Sequence, residues 1–120
     1  MNKSHFSKII AGTMSWGVWG KNFNPNEMQR IIETTVDLGI SSFDHADIYG
    51  GYTTESAFGV AFSKTGISRS SVQFITKCGI QLVTPNRSNE IKHYDCSKAY
   101  IMSSAEASLK YLQTDYIDVF

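Results

Sequence analysis

Phe43-Asp44-His45-Ala46-Asp47-Ile48-Tyr49-Gly50 is the stretch on which the reading of this chain turns. It closes a short apolar run, Ile40 to Ala46, that reads as a β-strand. Asp44 falls at the end of that strand, and Tyr49 lies in the following turn, Tyr49-Gly50-Gly51-Tyr52. One strand further on, Val72-Gln73-Phe74-Ile75-Thr76-Lys77 is rich in β-formers and ends in a lysine. Parallel strands joined by helices bring their C-terminal ends to one rim, so Asp44, Tyr49 and Lys77 are expected to share a mouth. The combination is chemically coherent. A free phenol has a pKa of about 10, too high for efficient proton donation near neutrality. An ammonium beside a phenol favours the phenolate, and a carboxylate holds that ammonium charged and oriented.

Working outward, short apolar runs alternate with helical patterns. Ser7 to Thr13 reads as a first strand. Asn24-Pro25-Asn26-Glu27 predicts a helix start, with Asn24 as cap, Pro25 in the first helical position and Glu27 reaching back. Met28, Ile31, Ile32, Thr35 and Val36 then form one stripe, and Gly39 is placed to end the helix in the left-handed conformation. After the second strand, Thr53 or Thr54 starts a helix with Ala57, Phe58, Ala61 and Phe62 on one face, closed by Gly66. Residues 79–95 read as a long polar loop. A third helix, Ser97 to Gln113, sets Met102, Ala105, Leu109 and Leu112 as its core stripe, and Tyr116 to Phe120 begins a fourth strand. This alternation predicts an α/β fold with parallel pairing through right-handed crossovers, in one domain. It does not by itself separate an open sheet from a barrel.

The totals narrow the function. Of the 120 residues, 42% are hydrophobic and 18% charged, an ordinary globular composition. Eleven basic and eleven acidic residues cancel, so no net field draws in nucleic acid or an anionic membrane. No apolar run approaches the roughly 20 residues of a bilayer span. Met1-Asn2-Lys3-Ser4-His5-Phe6 has no hydrophobic leader core. Cys78 and Cys96 form no CxxC pair and read as free thiols. A cytoplasmic protein acting on a small molecule is expected.

Each candidate has a plainer reading. Asp44 caps turns in many proteins, Tyr49 has the make-up of a core aromatic, and Lys77 that of a solvated strand end. Gly50 and Gly51 serve turn geometry, and no GxGxxG loop is present. His45 should point away from Asp44, on the opposite face of the strand, in a structural role. Glu55 reads as a structural residue at a helix start. His93 and Cys96 lack partners for a metal.

The FDxAxxYG motif at Phe43 to Gly50, the Thr76-Lys77 pair closing the next strand, and Glu55 with Gly59 in an E-x₃-G pattern together resemble the aldo-keto reductase family. The resemblance runs from Ile9 to Phe120, and the phrase Asp44 to Tyr52 with the extended loop after Lys77 is similar to a branch of bacterial cytoplasmic oxidoreductases. It implies a TIM-type (β/α)₈ barrel, of which residues 1–120 form the first three βα units and the start of strand four. It implies NADPH-dependent reduction of an aldehyde or ketone, with Tyr49 as proton donor, Lys77 tuning it and Asp44 pairing with Lys77. Gly12, Thr13 and Met14, with Asp44, match the segments near the nicotinamide, and Trp16 and Trp19 are candidate walls of the substrate pocket.

The pattern also breaks. The family's catalytic histidine, expected at the end of strand four, has no counterpart in His5, His45 or His93. The family binds the cofactor phosphates largely through loops after its seventh and eighth strands. The expectation is therefore a truncated product or fragment, poorly active alone. The rival reading is a non-enzymatic remnant, or a half barrel that self-associates to cover its open edges.

Overall fold

The computed structural model describes residues 6–120; His5 and residues 1–4 of the segment read for a leader lie outside them. Three short strands, β1 (Ile10–Gly12), β2 (Ser42–Asp44) and β3 (Gln73–Ile75), form a parallel sheet in the order β1-β2-β3. The register sets Gly12 beside Asp44 and Asp44 beside Ile75. Val119 adds a parallel bridge to Ile75, the beginning of a fourth strand. The sheet is open, with no closed barrel among the described residues.

The strands are shorter than the apolar runs, and side chains add bonds at the N-terminal ends of β1 and β2. The Ser7 hydroxyl accepts from the Ser41 and Ser42 N–H groups at 3.1 Å each. Ser41 and Ser42 in turn donate to Gln73 Oε1 at 2.8 and 2.9 Å.

Helix α1 (Pro25–Asp37) starts as its sequence predicts. Asn24 Oδ1 accepts from the Glu27 N–H at 2.8 Å, and Glu27 Oε1 accepts from the Asn24 N–H at 3.1 Å. Gly39 follows with φ +84°. Tyr49–Tyr52, α2, is a single tight turn in which Gly50, Gly51 and Tyr52 all have positive φ, at 66°, 62° and 71°. Helix α3 (Thr54–Ser63) buries Phe58, Ala61 and Phe62 as expected, but Ala57 is exposed and Gly66 does not close it. The helix stops at Ser63, and the Thr65 hydroxyl takes up the Phe62 carbonyl at 2.7 Å.

Phe43, Phe58, Phe62 and Phe74 pack with Met28, Ile32, Val72 and Leu112 between the sheet and its helices. Neighbouring rings such as Phe43–Phe58 lie 5.2 Å apart at tilted angles, a geometry that stabilises beyond area burial alone. Arg69 locks the last segment to this layer. It pairs with Asp118 at 2.8 Å and lies over the rings of Phe74 and Tyr116.

Helix α4 (Lys98–Tyr111) corrects the predicted stripe. Met102 is 53% exposed, and the buried positions are Ser104, Ser108 and, just past the helix, Leu112. The reason is electrostatic. Two carboxylates lie under this helix, and hydroxyls satisfy them where methyl groups would strand them. Gly59 permits the approach, since a β-carbon there would stand 2.0 Å from the Tyr111 carbonyl oxygen. Residues 79–95 are not a plain loop. Within them β4 (Ile80–Gln81) and β5 (His93–Tyr94) pair antiparallel, and the Tyr52 hydroxyl clamps β4 by accepting from the Leu82 N–H at 2.9 Å and donating to the Ile80 carbonyl at 3.3 Å.

Candidate active site

Strand alternation sorts the residues of the central motif. Phe43 and His45 face the helices, and Asp44 faces the other side of the sheet. His45 is fully buried, its ring 4.3 Å from that of Phe58 and its Nδ1 3.0 Å from the Thr13 hydroxyl. Burial first, then the charges of Lys77 and Arg69, lower its pKa to about 3. It is a neutral core residue, as its position on the strand predicts.

Asp44 and Lys77 meet at the C-terminal rim, with Lys77 Nζ 2.8 Å from Asp44 Oδ1 and donating also to the His45 carbonyl at 2.6 Å. The ammonium stands 5.3 Å from the centre of the Tyr49 ring. The ring of Trp19 lies 6.4 Å from that of Tyr49. Ala46, Asp47, Ile48, Tyr49, Lys77, Cys78 and Ile80 line a depression of about 200 Å³. The three residues singled out from the sequence are therefore gathered in one place.

The remaining candidates divide. Gly12 is at the rim beside Asp44, with no atom within 4 Å of where its β-carbon would be. Met14 is 53% and Trp19 46% exposed on the segment that follows β1. Thr13 is fully buried, its hydroxyl on the Asp44 carbonyl and His45. Trp16 packs into the core against Phe23, Phe43 and Phe58.

Two buried acids brace the mouth from beneath. Asp47 Oδ2 accepts from the Tyr100 hydroxyl at 2.9 Å and the Ser104 hydroxyl at 3.2 Å, while the Asp47 N–H donates to the Lys77 carbonyl at 3.0 Å. Glu55 accepts from Thr76 at 2.7 Å and Ser108 at 3.0 Å. Burial raises the pKa of both acids, and these hydrogen bonds oppose the rise. Burial, joined by the Asp47 carboxylate, pushes Tyr100 up to about 12. From the sequence alone Asp47, Tyr100 and Ser104 carry no assigned role. The spacing of Tyr100, Ser104 and Ser108 by four is the signal that marks this polar face of α4. Among the described residues, no three His, Cys, Asp or Glu side chains gather as a metal site, and no helix is long and apolar enough to cross a membrane.

The sequence matches the aldo/keto reductase family over residues 8–120. The chain belongs to that family. It is 44% identical over 115 residues to the uncharacterized oxidoreductase YcsN of Bacillus subtilis, covering 95% of this chain and 38% of that protein. It is 35% identical over 119 residues to a 6-dehydroglucose reductase of Agrobacterium fabrum, covering 98% of this chain and 40% of that protein. The holo form of aldo-keto reductase AKR11C1 from Bacillus halodurans superposes with a TM-score of 0.75 at 33% identity, over 94% of this chain and 34% of that one. The chain thus spans well under half the length of the relatives it matches, and its sheet corresponds to part of a barrel.

Proposed function

We propose that this aldo/keto reductase segment carries the proton-donating cluster of an NADPH-dependent oxidoreductase that reduces aldehydes or ketones to alcohols. The observation that supports it most is the Lys77 ammonium held between the Asp44 carboxylate at 2.8 Å and the Tyr49 ring at 5.3 Å. In this reading Tyr49 hydrogen-bonds the substrate carbonyl and gives it a proton. Lys77 stabilises the phenolate left behind, and Asp44 keeps Lys77 aimed. When bound, the nicotinamide supplies the hydride.

The residues present suit the nicotinamide end of that cofactor. Gly12 leaves open space at the rim beside Asp44, and Met14 offers an apolar edge next to it. Thr13 contributes its backbone, because its hydroxyl is committed beneath the strand end. Trp19, exposed and beside Tyr49, is the stronger wall for a substrate pocket, and Trp16 supports the loop from below. A small carbonyl compound as substrate and a cytoplasmic setting complete the proposal.

The test is consumption of NADPH, followed by absorbance, by the purified protein across a panel of aldehydes and ketones, with NADH run in parallel. Carbonyl-dependent consumption with alcohol formed in equal amount supports the reading. Cofactor binding without turnover on any carbonyl would contradict it.

A further inference from the structure

We propose that Cys78 and Cys96 form a reversible disulfide across the base of the β4–β5 hairpin, a redox modification site joining the residue after Lys77 to the residue before the cap of α4. The hairpin register carries the inference. The ladder pairs Ile80 with Tyr94 and Gln81 with His93 and ends there, and Cys78 and Cys96 follow two residues beyond it on the two arms of the hairpin. The Asp95 N–H donates to the Gly79 carbonyl at 2.8 Å, which makes that pair the hydrogen-bonded one. Cys78 and Cys96 directly flank this bond, and facing residues of antiparallel chains stand about 4.5–5.5 Å apart between Cα atoms. That spacing lies within the range a disulfide bridges.

A second observation brings the sulfur there. Cys96 Sγ lies 3.4 Å from where a β-carbon on Gly79 would stand, directly beside Cys78 in the chain. Gly79 has φ +133°, a conformation suited to glycine. Both thiols are free, Cys96 exposed and Cys78 half-buried. Burial pushes the Cys78 thiol up. The order of reaction follows from this: Cys96 meets the oxidant and Cys78 resolves.

With a low-molecular-weight disulfide as oxidant, the Cys96 thiolate attacks one of its sulfurs. A mixed disulfide forms, the original S–S bond breaks, and one thiolate leaves with the electron pair. Cys78 loses its proton to solvent and attacks Cys96 sulfur, releasing the second thiolate. Two cysteine thiols are oxidised, one disulfide is reduced to two thiols, and protons balance. Cys78 lines the same depression as Lys77 and Tyr49. The bond pins the hairpin against that mouth, and reduction frees it.

The experiment is incubation of the 120-residue chain with glutathione disulfide, read by intact mass, thiol titration and peptide mapping, beside C78S and C96S. The wild type is expected to lose both titratable thiols and two hydrogens, retain no glutathione, and yield a peptide linking Cys78 to Cys96 that dithiothreitol separates. C78S should hold one glutathione on Cys96, and C96S should react several-fold more slowly. Wild-type chain that keeps glutathione on Cys96 with Cys78 still free, or that links Cys96 to a second chain, would overturn the proposal. The readout is covalent mass, so its failure leaves the reading of Tyr49 untouched.

Discussion

Asp44 and Lys77, carried by the ends of adjacent strands, are in contact at 2.8 Å while 34% and 49% of their side chains remain exposed. Half-exposed ion pairs of this kind contribute little to folding, about 0–1 kcal/mol. The pair is better understood as orientation. Lys77 also donates to the His45 carbonyl at 2.6 Å, so two fixed acceptors aim the ammonium towards Tyr49.

It follows that Lys77→Met should separate chemistry from folding. Carbonyl reduction is expected to fall by about 10²-fold or more, the scale of general acid–base contributions. The urea midpoint should shift by no more than about 1 kcal/mol in stability. Steady-state kinetics and equilibrium unfolding of the same preparation check both halves. Retained turnover in a clearly destabilised variant would make Lys77 a structural residue.

Gly59 should behave in the opposite way. A β-carbon there would stand 2.0 Å from the Tyr111 carbonyl oxygen and 2.9 Å from Leu112 Cα, which are backbone atoms that cannot swing aside. Gly59→Ala is expected to destabilise by about 1–3 kcal/mol through forced separation of α3 and α4. Denaturant titration measures it. Gly66→Ala, with nothing within 4 Å of its added β-carbon, is the control expected to lie within about 0.5 kcal/mol of wild type.

His45 sets a pH dependence whose sign is fixed by its environment. Its pKa is lowered from 6.5 unfolded to about 3 folded, so between those values only the unfolded chain binds the proton. Stability from this residue is complete above pH 6.5 and declines as pH falls towards 3, by up to about 1.4 kcal/mol per pH unit. Asp47 and Glu55, with raised pKa values, act in the opposite sense as pH rises through the acid range. Comparing wild type with His45→Gln removes their shared contribution. The wild type should lose stability faster on acidification from pH 6.5 to 4.5, and parallel slopes would contradict the assignment.

What was legible in the sequence was local or periodic. Asn24 and Glu27 sit three apart and make the capping box on their own. Gly39 ends its helix, and alternation along β2 sends Asp44 to the rim and His45 to the core. What escaped was long-range and polar. Asp47 finds Tyr100 and Ser104 more than fifty positions away, and no hydrophobic pattern announces that pairing. A helix stripe scored on apolar residues therefore placed Met102 inside, where the structure buries Ser104 and Ser108. The hairpin in residues 79–95 was hidden for a related reason. Its strands have two residues each, and β4 is secured by the Tyr52 hydroxyl, a contact that no local propensity encodes.

Proton donation by Tyr49 is the step on which the proposed chemistry depends. The most direct measurement is Tyr49→Phe, read as kcat for carbonyl reduction alongside the Kd for NADPH from fluorescence titration. A fall in kcat of about 10²–10⁴-fold is expected, with the Kd changed by no more than about twofold because only transition-state chemistry is removed. Turnover of Tyr49→Phe at the wild-type rate would contradict it.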